Sequence, residues 1–333
     1  MRFAGRMWLA APAVVAAALV FPATAAAEPT AVVAMGDSAI SGEAARSYEA
    51  GTDQPGNYCH RSLNALIKKT TMPADARLNL ACSGAKSANL EYPGQGQNNE
   101  VSQGQKLVDA AAQYDIKLVI VEVGANDDPN FARTVTDCVT QFVLQVAIGC
   151  RNTVGPVWNS RLAAMAPKVK AALQSIENVL AAAQEKAQLV LASYWSPVPS
   201  YSRYSGYWSK VFNGCPIYNA DMGWGKNTAV PALSNTLKQS ATEMGWRFLD
   251  FSRSMDGREI CAPGITHSQE WIAGLTYDPG SSCWYCYDAV RQSFHANAAG
   301  HQRLGNCVTE FYNQNPRSQG VCVRGTDNNL HAQ

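Results

Sequence analysis

The residues best suited to chemistry in this chain are one serine, one glycine, one asparagine and a small set of histidines. The apolar run Val32-Val33-Ala34-Met35 stops abruptly at Gly36-Asp37-Ser38. A hydroxyl at such a stop can act as a nucleophile when a base takes its proton and donors face the developing oxyanion. Gly, Asp and Ser are also ordinary turn residues, so the tripeptide by itself does not decide. Two donors suggest themselves: the Gly84 N–H, which no side chain obstructs, and the Asn126 side-chain amide. The base must come from five histidines, His60, His267, His295, His301 and His331. His60 falls in a stretch with helical spacing, His331 in the tail, and His267 in a loop with no other signal near it. His301 shares a helical face with Leu304, Val308 and Phe311, the place of a packed side chain. His295 precedes that helix on a loop, where functional side chains concentrate, and is the expected base.

These residues need a scaffold that brings them together. Short apolar runs read as strands at Val32–Met35, Leu78–Cys82, Leu118–Val123, Leu189–Ala192 and Arg247–Phe251. Helical spacing follows an Asn57 cap through Cys59, Leu63, Leu66 and Ile67, and recurs near 101–114. It runs again from Pro167 through Val169, Leu173, Ile176, Leu180 and Ala183, then near 227–244, and after an Asn297 cap. Residues 128–159 read as irregular, and 194–224 as a loop rich in aromatics, from Tyr194 and Trp195 to Trp224. Strands alternating with helices predict an α/β doubly wound fold around a mainly five-stranded parallel sheet. In such a sheet the strand ends at Ser38, Gly84 and Asn126 share one edge and converge.

With 333 residues, no internal repeat and no linker, one large domain is expected over 28–333. Lys and Arg number 27 against 26 Asp and Glu, a balance that argues against nucleic acid as a partner. Arg2 and Arg6 precede an uncharged stretch from Met7 that ends in Ala25-Ala26-Ala27. This is the pattern of a secretory signal, residues 1–27, cleaved after Ala27; Pro12 and Pro22 make it a weak membrane span. The ten cysteines agree with export and with disulfides. Closeness in the chain suggests Cys138–Cys150, Cys283–Cys286 and Cys307–Cys322, which leaves Cys59–Cys82 and Cys215–Cys261.

Four blocks in this order resemble the SGNH (GDSL) hydrolase family, and a secreted actinobacterial member in particular. Gly36-Asp37-Ser38 with Ser41-Gly42-Glu43 is similar to the first. Cys59-His60-Arg61-Ser62 and Ala81-Cys82-Ser83-Gly84 are similar to the second, and Gly124-Ala125-Asn126-Asp127 to the third. Phe294-His295-Ala296-Asn297-Ala298-Ala299-Gly300-His301 is similar to the last. The resemblance covers almost the whole mature chain. It implies a three-layer α/β/α sandwich of flavodoxin-like order and a monomeric esterase or lipase acting without metal or cofactor. By position, Ser38 would be the nucleophile and His295 the base, with the Ser38 N–H, Gly84 N–H and Asn126 side chain as oxyanion hole. Ala125 stands where the family has a glycine, Ala296 where a proline is frequent, and Gln292 where many members carry an aspartate. The resemblance then implies that the Gln292 main-chain carbonyl orients His295, with Asp288 as the competing candidate.

Other readings remain open at this point. An ester of a lipid or of an aryl or alkyl alcohol is one substrate class, since the 194–224 aromatics could line an apolar groove. A carbohydrate O-acyl ester is another. A hydrolase fold that has lost activity and only binds lipid or sugar is a third. A zinc-binding module built on Cys283, Cys286, His295 and His301 is a fourth.

Overall fold

The computed structural model describes Met1 and residues 27–127, 131–275 and 291–333. The expected leader up to Ala26, Cys283, Cys286 and Asp288 lie outside the described residues. In chain order the elements are β1 (Thr30–Gly36), α1 (Ser38–Ser41), β2 (Ala76–Asn79), α2 (Gln103–Ala111), β3 (Asp115–Glu122) and α3 (Phe131–Val143). Then follow α4 (Cys150–Val154), α5 (Trp158–Ala182), β4 (Gln188–Ala192), α6 (Tyr207–Phe212), α7 (Asn219–Trp224), α8 (Val230–Met244) and β5 (Arg247–Asp250). The chain closes with α9 (Ala298–Asn313), β6 (Gln319–Arg324) and β7 (Leu330–Ala332).

The sheet runs β2-β1-β3-β4-β5-β6-β7, with β7 alone antiparallel. β1 is central and buried on both faces, as expected of a run without polar alternation. The five expected strands are all present, β2 two residues earlier than its apolar run, and two more extend the sheet. No apolar run announces β6: its buried positions are the small Gly320 and Cys322, between half-buried valines. The connections from β1 to β2 and from β2 to β3 run in opposite directions across the sheet, so their crossovers cover opposite faces. Helices α2, α5 and α8 pack together as one layer. Helix α9 packs on the 3-10 turn Leu66–Lys69, which belongs to the other layer. The result is the expected α/β/α sandwich, with its switch point between β1 and β3.

Several local expectations change. Residues 58–65 are not helical: the chain is drawn out by the Cys59–Cys82 disulfide, and His60 takes a φ of +47°. The long helix begins at Trp158 rather than Pro167, because Trp158, Leu162 and Met165 continue its buried face upstream. Pro167 sits inside it and removes one main-chain donor without ending it. Residues 128–159 hold α3 and α4, and the aromatic stretch 194–224 holds α6 and α7. Asn297 does cap the last helix, its Oδ1 accepting from the N–H groups of Ala299 and Gly300 at 3.0 and 3.1 Å. Disulfides join Cys138–Cys150 and Cys307–Cys322, as chain proximity suggested, and Cys59–Cys82 and Cys215–Cys261, the pairs that it left. Among the described residues no helix is long and apolar enough to cross a membrane.

Candidate active site

The turn that presents Ser38 is built by close approach of two backbones. Gly36 has a φ of +139°, and a Cβ there would lie 2.0 Å from the Glu122 carbonyl oxygen, so β1 ends hard against β3. The Gln103 side chain then clamps Gly36, its Oε1 accepting the N–H and its Nε2 donating to the carbonyl, both at 2.8 Å. Asp37 caps the short α1 by accepting the Ala39 N–H at 3.0 Å. Its other oxygen accepts the Tyr194 hydroxyl at 2.6 Å. That hydroxyl in turn accepts the Ala125 N–H at 3.1 Å. Tyr194 therefore ties the serine turn to the loop that carries Asn126. The tie uses the main chain of residue 125, so an alanine serves there as a glycine would.

His295 reaches Ser38 across 257 positions of sequence, with Nε2 2.7 Å from the serine Oγ. Its loop is fastened to residues 271–273 by main-chain bonds: Phe294 N–H to Ala273 O, Ala273 N–H to His295 O and Asn297 N–H to Trp271 O, each 2.8 Å. The Ser293 carbonyl lies 3.0 Å from Nδ1, and the expected Gln292 carbonyl acts on the same ring beside it. The Gln292 carbonyl also accepts the main-chain N–H of His295 at 3.3 Å, closing a tight turn. Phe294 at φ +66° swings the Ser293 carbonyl back beneath the ring. Burial pushes the His295 pKa below its ordinary value, against the pull of Glu43 and of the carbonyls of Ser293, Arg291 and Gln292. The imidazole is thus neutral at neutral pH. With Nδ1–H donating to Ser293, Nε2 is left with a lone pair toward Ser38.

The three expected donors stand at the same edge of the sheet. The Ser38 N–H opens α1, and neither it nor the Gly84 N–H has a hydrogen-bond partner among the described residues. Gly84 is required by its φ of +79° rather than by crowding, since a Cβ there would meet only Gln97 Nε2 at 3.5 Å. The Asn126 amide donates to the Ala85 carbonyl at 3.2 Å, which leaves its second hydrogen for a ligand. Asp127 holds the two loops together by accepting the Ser87 N–H and hydroxyl.

Beneath these groups lie charges that composition alone does not reveal. Glu43 is buried, with Oε2 2.7 Å from His60 Nδ1 and 2.6 Å from Ser83 Oγ. Burial opposes its charge, but the bond to His60, the proximity of His295 and the Ser83 hydroxyl hold its pKa below the usual value. For His60, burial lowers the pKa while Glu43 and Asp53 raise it, and the net direction is upward. The two form a buried ion pair that fixes the Ser83-Gly84 loop. Burial pushes Asp37 up to about 7 despite the Tyr194 and Ala39 bonds, with the Asp127 charge adding to the rise. Burial, and then Asp37, push Glu122 well above its ordinary value, and its carboxyl has no partner among the described residues.

The structure brings together Ser38, His295, Gly84 and Asn126, and puts the Ser293 carbonyl 3.0 Å from Nδ1, with the Gln292 carbonyl also acting on the ring. His301 is buried, with Nδ1 accepting the Leu66 N–H at 3.2 Å, a packed structural histidine. His331 lies in β7 and pairs with Glu310 and Asp327, and His267 pairs with Glu270. Sequence reasoning missed Gln103, Tyr194 and the Glu43–His60 pair. Glu43 and His60 at least stand inside the blocks of the resemblance; Gln103 and Tyr194 carry no such mark. Among the described residues no group of three or more His, Cys, Asp or Glu side chains is placed to hold a metal ion.

The sheet order, the two helical layers and the serine turn after β1 define the GDSL/SGNH hydrolase fold. The model of the GDSL-like lipase/acylhydrolase family matches residues 34–303, and the chain belongs to that family. It is similar in structure to phospholipase A1 from Streptomyces albidoflavus NA297, at 20% identity and a TM-score of 0.54 over 82% of this chain and 94% of that one. It is also similar to an extracellular lipase from Streptomyces rimosus, at 22% identity and a TM-score of 0.52 over 82% of this chain and 94% of that one. At such identities the likeness carries the fold. No curated protein sequence matches the chain.

Proposed function

We propose that the chain is a secreted serine esterase or lipase that cleaves carboxylic esters through an acyl-enzyme on Ser38. The observation that carries this reading is the 2.7 Å approach of His295 Nε2 to Ser38 Oγ. His295 takes the serine proton as Oγ attacks the ester carbonyl, and the Ser293 carbonyl receives the Nδ1–H of the imidazolium that forms. The oxyanion is met by the N–H groups of Ser38 and Gly84 and by the Asn126 amide. His295 then protonates the leaving alcohol, and water activated by the same base releases the acid. The two arginines and the uncharged stretch at the N-terminus, together with the disulfides, support export, with 28–333 acting as one hydrolase domain. The substrate class we infer is an ester with an apolar acyl group.

A panel from acetyl to long-chain aryl and glycerol esters, with acetylated polysaccharide included, tests the reading. Ser38→Ala should abolish hydrolysis with unfolding unchanged. Asn126→Ala should lower kcat by roughly 10²–10³, the usual loss of one oxyanion donor. Hydrolysis that survives in folded Ser38→Ala would overturn the proposal, and activity confined to acetylated sugars would move the substrate class.

A further inference from the structure

One feature of the surface plays no part in ester chemistry. Leu144 is 68%, Ile148 54%, Trp208 66% and Phe212 66% exposed, and Val143, Val146 and Tyr201 are exposed beside them in sequence. Two separate stretches supply all of them but Tyr201: the end of α3 with the loop that leads to α4, and the helix α6. They are joined in space. The Tyr207 hydroxyl donates to the Val143 carbonyl at 2.9 Å, and the Phe142 and Tyr207 rings stack with centroids 5.4 Å apart. From there the rings continue outward, Tyr207 to Trp208 at 5.0 Å and Trp208 to Phe212 at 5.7 Å. The inner end, Phe142, is buried and rests edge-on to Tyr218 at 4.9 Å, while the outer end meets solvent. The loop itself is closed by the Cys138–Cys150 disulfide and held by Asp221, which accepts the N–H groups of Cys150 and Arg151 at 3.1 Å. A contiguous apolar surface braced in this way is a contact surface, because isolated exposed hydrophobes need no such bracing.

We propose that this face, the 143–148 loop with Trp208 and Phe212, docks the protein on a phospholipid bilayer. The side-chain types argue for that occupant, and the charge pattern agrees with it. Residues 138–157 and 194–220 contain Arg151, Arg203 and Lys210 and no Asp or Glu at all. Arg203 is paired with Glu270 at 2.8 Å and Arg151 faces Asp221 at 3.7 Å, so the surface carries little net charge and offers phosphate groups nothing repulsive. Trp and Tyr with aliphatic neighbours are the side chains that settle at the headgroup level of a membrane. Placement agrees: α3 and α6 lie in the insertions that follow β3 and β4, at the strand ends that also carry Ser38. Docking there keeps that edge toward the lipid. The proposal stands apart from the ester reaction, since binding needs no turnover.

The test measures partition of the full mature chain onto phosphatidylcholine vesicles containing phosphatidylglycerol, by sedimentation and by tryptophan emission. The Ser38→Ala background keeps the lipid intact. Binding should survive about 0.5 M NaCl, since apolar contact rather than ion pairing carries it. Trp208→Ser with Phe212→Ser, and separately Leu144→Ser with Ile148→Ser, should each weaken partition by at least about tenfold. Leu63→Ser, an exposed leucine in another part of the chain, should not. On the background that retains Ser38, both double variants should hydrolyse a soluble short-chain aryl ester within about twofold of the parent. Absence of partition by the parent protein, or partition unchanged in both double variants, would overturn the proposal. A dimer in solution that Trp208→Ser with Phe212→Ser dissociates would overturn it as well, and assign the face to a second copy.

Discussion

Asp37→Asn gives a prediction whose sign depends on pH. The carboxyl is buried, and its pKa rises from 3.8 to about 7 mainly through burial. A raised carboxyl pKa means that the folded protein keeps a proton the unfolded chain releases. Its contribution is therefore fully present below about pH 4 and is lost as pH rises to about 7, at ~1.4 kcal/mol per pH unit. The whole loss is about 4 kcal/mol, as the product of some three units and that slope. Asparagine carries no such titration. It does change one of the two acceptors that serve the Ala39 N–H and the Tyr194 hydroxyl, at a cost of about 1 kcal/mol. The variant should thus be less stable than the parent at pH 4 by ~1 kcal/mol and more stable at pH 8 by ~3 kcal/mol. Urea unfolding at intervals from pH 4 to 8 measures the difference, in which groups common to both proteins cancel. A difference that stays flat across that range would refute the reasoning, because Asp37 would then be ionised throughout.

Two further outcomes follow from the same electrostatics. Burial holds His295 below its ordinary pKa, and only the neutral ring can take the Ser38 proton, so kcat/KM should fall in acid through an apparent pKa below 6.5 and stay level from about pH 7 to 8; an acid limb centred above about pH 7 would contradict this. Glu43→Gln leaves the buried His60 only the half-exposed Asp53 as charge partner and should reduce unfolding free energy by about 3 kcal/mol, whereas adding His60→Gln should recover at least half of that loss. Denaturant titration of the two variants checks it, and additive losses would show that the pair is not coupled.

The sequence by itself determined the framework, because hydrophobic runs, helix caps and chain proximity are local properties. Val32–Met35, apolar without alternation, is a strand buried on both faces, and Asn297 before an amphipathic stretch begins a helix. The strand ends at Ser38 and Asn126 followed from the same runs. Partner choice over long separations was decided by the tertiary structure alone. Tyr194 bonds Asp37 from 157 positions away, and Gln103 clamps Gly36 from 67. Neither residue differs in type from its neighbours in a way that announces the bond. His60 had helical spacing around it, yet a buried carboxylate and a disulfide draw the chain out at that point. The place of the Ser293 carbonyl at Nδ1 is of the same kind. Every residue offers the same main-chain carbonyl, so which one lies under a histidine ring depends on one backbone angle at Phe294. A carboxyl such as Asp37 or Glu122 likewise acquires its raised pKa only when the surrounding layers remove water from it.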